Sequence, residues 1–241
     1  MKNDFISILK KEAKNRNIEL TDKVLERFEL YKNLMLEWNE KMNLTAITDE
    51  YQIIMKHFID CLEITKYMNG NEKVIDVGTG AGFPGIVIAI YFENINITLL
   101  DSLNKRLIFL EEVVKKLNLK NVNIVHARAE EFAHKDEYRN KYDLVVSRAV
   151  ANLSNLLEYD VGYLKLNGKL LLLKGDNVND EINTSKNTFN ILGCKIENIY
   201  DYEYDVNGEI FNRKVLEIKK LKNTPEKYPR NYGKMKKNPL N

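Results

Sequence analysis

Apolar positions in the first seventy residues recur at three- and four-residue steps. Leu25, Phe28, Tyr31, Leu34, Met35 and Trp38 fall on one face and predict an amphipathic helix. Thr21 stands where an N-cap side chain accepts from the free N–H groups of a first turn. A second helical segment is expected after Thr48, with Asp49 and Glu50 in its first turn, where the helix dipole favours acids. Its apolar face is Ile54, Phe58, Cys61, Leu62 and Thr65, and Gly70 stops it. From residue 73 the texture changes. Short, nearly continuous apolar runs predict strands at 73–77, 97–101, 122–126, 142–147 and 169–174. Helical stretches alternate with them at 84–92, 105–117, from 130, at 153–164 and at 181–192. Two last strands, near 196–204 and 214–219, flank Val206-Asn207-Gly208, and Asn-Gly is a strong hairpin signal. Apolar strands spaced by helices imply a parallel sheet covered on both faces. The hairpin makes the last strand antiparallel. The expected architecture is α/β: a doubly wound, seven-stranded sheet behind a helical N-terminal lobe. Divisions are expected at 1–70, 71–221 and 222–241.

Composition removes several classes. The 241 residues are 44% hydrophobic and 30% charged, which suits a soluble globular chain and excludes disorder throughout. The first eighteen residues are too charged for a signal peptide, and the longest apolar run, 85–92, is too short to span a bilayer. Cys61 and Cys194 are far apart, with no Cys/His cluster, so neither a disulfide framework nor a metal site is expected. The expected compartment is the reducing cytoplasm. Nothing in the sequence demands more than a monomer.

Charge changes the picture once it is divided. The formal net charge of +2 argues alone against a nucleic-acid partner. Yet Lys219–Asn241 holds eight Lys/Arg and one acid, Glu226, while residues 1–218 hold 29 basic and 34 acidic residues. A basic tail succeeds an acidic body.

The densest chemistry is Asp76-Val77-Gly78-Thr79-Gly80-Ala81-Gly82-Phe83-Pro84-Gly85, between the first strand and its helix. Glycines there let backbone turn tightly and approach a ligand, and in open parallel sheets ligands sit at the carboxyl ends of the strands. The loop lacks a Gly-Lys-Ser/Thr, which excludes a P-loop. An acid at Asp76 disfavours the pyrophosphate of a dinucleotide and suits a cationic ligand such as S-adenosylmethionine. Asp101, about twenty residues on, stands where an acid takes ribose hydroxyls in either ligand class. Ala129-Glu130, after the third strand, is placed to read an adenine edge with a backbone N–H and a carboxylate.

These residues and the strand order resemble a class I S-adenosylmethionine-dependent methyltransferase of Rossmann-like fold. The likeness goes further. Asn39, Asn43-Leu44-Thr45, His57 with Asp60, DVGTGAGFPGI, Lys105-Arg106, Phe109-Leu110, Arg128-Ala129-Glu130, Ser147-Arg148-Ala149, Lys174-Gly175 and Tyr228-Pro229-Arg230 with Gly233 together resemble the RsmG (GidB) family. These are bacterial enzymes that methylate guanine N7 in 16S rRNA. One departure is Cys61, where the family usually has Ser. The resemblance implies cofactor contacts at Gly78, Phe83, Ala129, Glu130 and Arg148. Gly80 falls in the same loop, and Asp101 is added by the class-wide ribose rule. It also implies S-adenosylhomocysteine as product and 16S rRNA or the 30S subunit as partner.

The residues fit N7 chemistry in a negative sense. Guanine N7 is a lone pair with no proton to remove, so methyl transfer needs alignment and desolvation rather than a general base. The fourth strand exits through Ser147-Arg148-Ala149, not the Asn/Asp-Pro-Pro-aromatic pattern used on exocyclic amines, and no Pro-Cys nucleophile exists. Arg148 is the candidate positioning residue at the methyl hand-over. Its alternative is a structural pair with Asp76 or Asp143. His57, on an apolar helix side near Asp60, fits a hydrogen-bonded core group better than a catalyst. For RNA, the candidates are Lys174, Arg230, Lys234, Lys236 and Lys237, the last four beside Tyr228 and Tyr232; charge with aromatics suits backbone and unstacked bases. Prolines and Tyr228 suggest that part of the tail packs on the body. Three alternatives stay open: a small-molecule methyltransferase on this fold, a non-enzymatic RNA-binding assembly factor, and a nicotinamide-dependent dehydrogenase.

Overall fold

The computed structural model describes residues 4–240. Residues 1–3 and 241, the outer ends of the expected lobe and tail, lie outside the described residues.

Helices α1 (Asp4–Lys14) and α2 (Asp22–Met42) open the chain. The Thr21 hydroxyl accepts from the Val24 N–H at 3.4 Å, and Val24, Leu25, Phe28, Tyr31, Leu34 and Met35 are buried. Next comes α3 (Glu50–Ile53), capped by the Asp49 carboxylate. The expected second helix is not uniform. A π turn, Ile54–Ile59, separates α3 from α4 (Asp60–Leu62), and a 3-10 turn, Glu63–Tyr67, closes it. The extra residue of a π turn rotates the helical residues beyond it, and such turns often sit at functional sites.

Strands β1 (Lys73–Val77), β2 (Asn96–Asp101), β3 (Val122–His126), β4 (Tyr142–Arg148) and β5 (Leu164–Lys174) are parallel; β6 (Cys194–Val206) and β7 (Glu209–Lys220) form the closing hairpin. The order is β3-β2-β1-β4-β5-β7-β6, with β7 antiparallel to β5. Asn207 and Gly208 both have positive φ, at 56° and 87°, as a tight Asn-Gly hairpin requires. The helices between strands are α5 (Gly85–Tyr91), α6 (Asn104–Lys116), α7 (Ala129–Phe132), α8 (Leu153–Asp160), α9 (Val178–Thr184) and α10 (Lys186–Leu192). The stretch expected as one helix at 181–192 breaks at Ser185.

Alternate strand residues feed two cores, as the two-residue period requires. Val74, Leu99, Leu144, Val146 and Leu171 pack with α1, α2, α5 and α6, so the N-terminal helices share one core with a sheet face. Ile75, Val77, Leu100, Val145 and Leu172 pack with α8 and α10. A last helix, α11 (Tyr232–Lys237), lies beyond the hairpin and has no counterpart among the expected elements; Met235 is its one buried residue.

Candidate methyl-transfer site

The glycine loop hangs on the ends of β1 and β2. The Gly78 and Thr79 N–H groups donate to the Leu100 carbonyl at 2.8 and 3.1 Å. Gly78 has φ +71°, and a Cβ there would lie 2.7 Å from the Val150 side chain. Gly85 is excluded from change by space alone: its Cβ would come within 2.3 Å of Leu99.

Asp76 is tied within the loop itself. It is fully buried, and its Oδ2 accepts from the Thr79 hydroxyl (2.7 Å) and the Gly85 N–H (2.8 Å). Its Oδ1 has no partner, and burial pushes its carboxyl up to about 7. In the structure Asp76 ties the loop's entry to its exit and lines neither of the two cavities described next.

Two cavities flank the Gly78–Val150 contact. The larger, about 530 Å³, lies over the ends of β1, β2 and β3. Gly78, Asp101, Ala129 and Glu130 line it, with Leu103, Arg106, Arg128, Tyr159, Tyr232 and Lys236. Asp101 is held in aim: Oδ2 accepts from the Gly80 N–H and Oδ1 from the Leu103 N–H, each at 2.9 Å, with Arg106 at 3.5 Å. A carboxylate offers about four lone-pair sites, so acceptor capacity remains. Glu130 is buried, and its nearest charge partner is Arg128 at 3.8 Å. The Ala129 carbonyl accepts from the Tyr163 hydroxyl at 2.7 Å.

The smaller cavity, about 200 Å³, is lined by Thr45, His57, Gly78, Gly80, Phe83 and Arg148 among others. A Cβ on Gly80 would meet nothing nearer than the Gly78 carbonyl at 4.0 Å, so the loop leaves room here. Arg148 is deeply tied. It donates to the Lys56 carbonyl (2.9 Å), to Asp60 Oδ2 (3.1 Å) and to His57 Nδ1 (3.2 Å), with its guanidinium 5.0 Å from the Phe83 ring centroid. It pairs with Asp60 rather than with Asp76 or Asp143.

That geometry fixes the histidine. Arginine only donates, so His57 Nδ1 accepts and the ring proton sits on Nε2. Nε2 then donates to Thr45 Oγ1 at 3.0 Å, which also accepts the Ile47 N–H at 3.0 Å. Burial, and then the Arg148 charge, lower the His57 pKa to about 4. The ring is neutral near pH 7 and stacks on Phe83 with centroids 4.6 Å apart. Asp60, fully buried, also accepts from Tyr202 (2.8 Å) and Arg213 (3.1 Å), so the π turn, β4 and the hairpin meet on one carboxylate. Sequence reasoning missed Tyr202 and Arg213, which lie far away along the chain.

Two RNA candidates are engaged elsewhere. Lys174 is buried and donates to Glu181 at 2.7 Å and to the Ala151 carbonyl at 3.3 Å. Arg230 grips buried Glu158 by its Nε and Nη2, both at 2.8 Å. Both tie elements of the fold together through these carboxylates. Lys234, Lys236 and Lys237 are exposed on α11. Among the described residues no cluster of side chains could hold a metal ion, and no helix is long and apolar enough to cross a membrane.

The fold recurs in solved structures. The chain is similar to M. jannaschii TYW2 in complex with AdoMet, with TM-score 0.54 and 18% identity over 68% of this chain and 75% of that one. It is also similar to precorrin-6y C5,15-methyltransferase from Geobacter metallireducens GS-15, with TM-score 0.50 and 16% identity over 74% and 92%. Sequence relatives are nearer. Ribosomal RNA small subunit methyltransferase G of Clostridium perfringens (strain 13 / Type A) is 46% identical over 98% of this chain and 99% of its own length. That of Acetivibrio thermocellus is 47% identical over 95% and 93%. The family described as rRNA small subunit methyltransferase G matches residues 24–207, most of the sheet and the N-terminal helices. The chain belongs to that family.

Proposed function

We propose that this chain transfers a methyl group from S-adenosylmethionine to the N7 of a guanine in 16S rRNA of the small ribosomal subunit. The observation that carries the chemistry is the pairing of the two cavities across Gly78. On one side, Asp101 keeps acceptor capacity beyond its present donors and Glu130 has only the Arg128 approach at 3.8 Å, which suits ribose hydroxyls and an adenine amine. On the other, Gly80 and Phe83 border a pocket whose titratable groups are already satisfied. When bound, the cofactor supplies an electrophilic methyl on a sulfonium.

The chain's own residues orient and exclude water. Asp101 fixes the ribose and Glu130 the adenine edge. Arg148, immobilised by Asp60, His57 and the Lys56 carbonyl, keeps the hand-over wall rigid and positions what enters it. His57, with a pKa near 4 and its Nδ1 occupied, is a poor proton acceptor at neutral pH. That suits a lone-pair nucleophile that loses no proton. RNA is gripped by the exposed Arg128, Lys234, Lys236 and Lys237 around the cavity mouth. The chain acts as a cytoplasmic monomer on naked 16S rRNA or the 30S subunit.

The test is direct. Purified protein is incubated with labelled S-adenosylmethionine and either 30S particles or 16S rRNA from a strain lacking the enzyme, and 7-methylguanine is mapped. Label at a single guanine N7 is expected. Label on another atom overturns the N7 assignment, and no label on either substrate overturns the function.

A further inference from the structure

Nine large hydrophobic side chains are exposed among the described residues, and three of them, Leu103, Val150 and Tyr232, line the larger cavity. They come from the β2 exit, the β4 exit and the C-terminal helix. Exposed apolar side chains scattered singly need no explanation, but a group around one cavity marks a surface that a ligand covers. Tyr232 is the odd member, because it belongs to the basic C-terminal segment. It is half exposed, at 50%, and Lys236 sits 6.0 Å from its ring centroid.

The tail is not loose at this point. Arg139 donates to the Thr224, Pro225 and Tyr228 carbonyls at 3.0, 3.3 and 2.9 Å. The Arg230 backbone N–H joins its side chain on Glu158, at 2.8 Å. Asn231 caps α11 by accepting from the Lys234 N–H at 3.0 Å, and Met235 is fully buried. These ties set Tyr232 on the cavity wall beside Tyr159 and Glu130. Burial, and then the Glu130 and Tyr232 charges, push the Tyr159 hydroxyl up to about 12, in keeping with that proximity.

We propose that Tyr232 is an aromatic wall of the adenine subsite, so that the C-terminal segment is a built part of the cofactor site. This rests on the cofactor assignment above and extends it. An adenine whose edge is read at Ala129 and Glu130 still has faces to cover, and a tyrosine ring held on the wall covers one at little entropic cost.

The test uses the full chain: calorimetric titration with S-adenosylhomocysteine in the absence of RNA, and filter binding of 16S rRNA in a separate arm. Tyr232→Ala should weaken binding about tenfold, within the range of a base–aromatic stack, and Tyr232→Phe should hold the affinity within about twofold. The same ligand should slow tryptic cleavage at Lys234 and Lys236 in the unaltered chain, a readout independent of any variant. Unaltered protein that binds while Tyr232→Ala binds equally well overturns this proposal and leaves the cofactor assignment standing. Loss of RNA retention by Tyr232→Ala with unchanged ligand affinity also overturns it, and gives the ring to the RNA. Unaltered protein that binds no S-adenosylhomocysteine overturns the cofactor assignment itself.

Discussion

The two cavities on either side of Gly78 are built on opposite principles. On the Asp101 side, acceptor capacity remains: Glu130 has only a 3.8 Å approach from Arg128, and Leu103 and Tyr232 stay exposed. On the Arg148 side nearly everything polar is spent. Asp60 accepts from Arg148, Tyr202 and Arg213, and Arg148 occupies His57. The first surface keeps acceptor capacity for a ligand to use. The second has fixed walls for a ligand to be placed against. A reaction that needs alignment without proton transfer uses both.

The sharpest way to break the comparison is at Asp60. Asp60→Ala leaves two guanidiniums without their buried carboxylate, and removing one partner of a buried pair costs about 3–5 kcal/mol. Urea denaturation should show that loss, with methyl transfer abolished. A loss below about 1 kcal/mol, the scale of an exposed pair, would show that the hand-over wall is not held by this network.

Asp76 holds the glycine loop that borders both cavities and tests that loop through pH. Its folded pKa is raised from 3.8 to about 7. Between those values the folded chain holds a proton that the unfolded chain has lost, so this carboxyl's contribution is full below pH 4 and falls as pH rises towards 7. Asp76→Asn stays neutral and lacks that loss. Its stability relative to the unaltered chain should rise by on the order of 1 kcal/mol per pH unit through the window. Taking the difference cancels His57, whose lowered pKa acts with the opposite sign. Urea titrations at pH 5 and pH 7 that give the same difference would mean the carboxyl is ionised throughout, and would restore it as a charge for a cationic ligand.

Glu130 probes the open side. Glu130 is buried but accepts no hydrogen bond among the described residues, so Glu130→Ala should lower stability by no more than about 1 kcal/mol. S-adenosylhomocysteine affinity should nevertheless fall about tenfold, the value of one charge-assisted hydrogen bond. A stability loss instead of an affinity loss would make Glu130 a member of the saturated kind.

The period-two and period-3.6 patterns carry the seven strands and most helices, because burial on both sheet faces leaves long apolar runs. The loop glycines, Asp101 and Ala129-Glu130 are legible because their places depend on strand ends. The role of Asp76 is not: an acid beside a glycine loop looks the same in sequence whether it faces a ligand or staples the loop. The π turn leaves no signal, since its extra residue is fixed by where Asp60 must meet Arg148 and Arg213. Helix α11 is hidden because one buried residue, Met235, makes no period. Charge counting makes Lys174 and Arg230 look like RNA contacts, yet their partners, Glu181 and Glu158, are found only in space.

That last distinction gives the smallest and most discriminating prediction. Exposed Lys234 and Lys237 make no ion pair among the described residues, so on binding RNA each would trade condensed counterions for a phosphate. Alanine at either should weaken binding modestly and equally across RNA sequences, and lower the salt slope by about 1. Lys174 already spends its charge on Glu181, with its side chain only 10% exposed. Lys174→Ala should therefore leave the slope unchanged and lower stability, because Glu181 loses its cation while still accepting from the Leu153 N–H. Filter binding across a salt series separates the two. If Lys174→Ala lowers the slope and Lys234→Ala does not, the RNA passes over the β5 side of the sheet and the C-terminal helix serves the cofactor cavity alone.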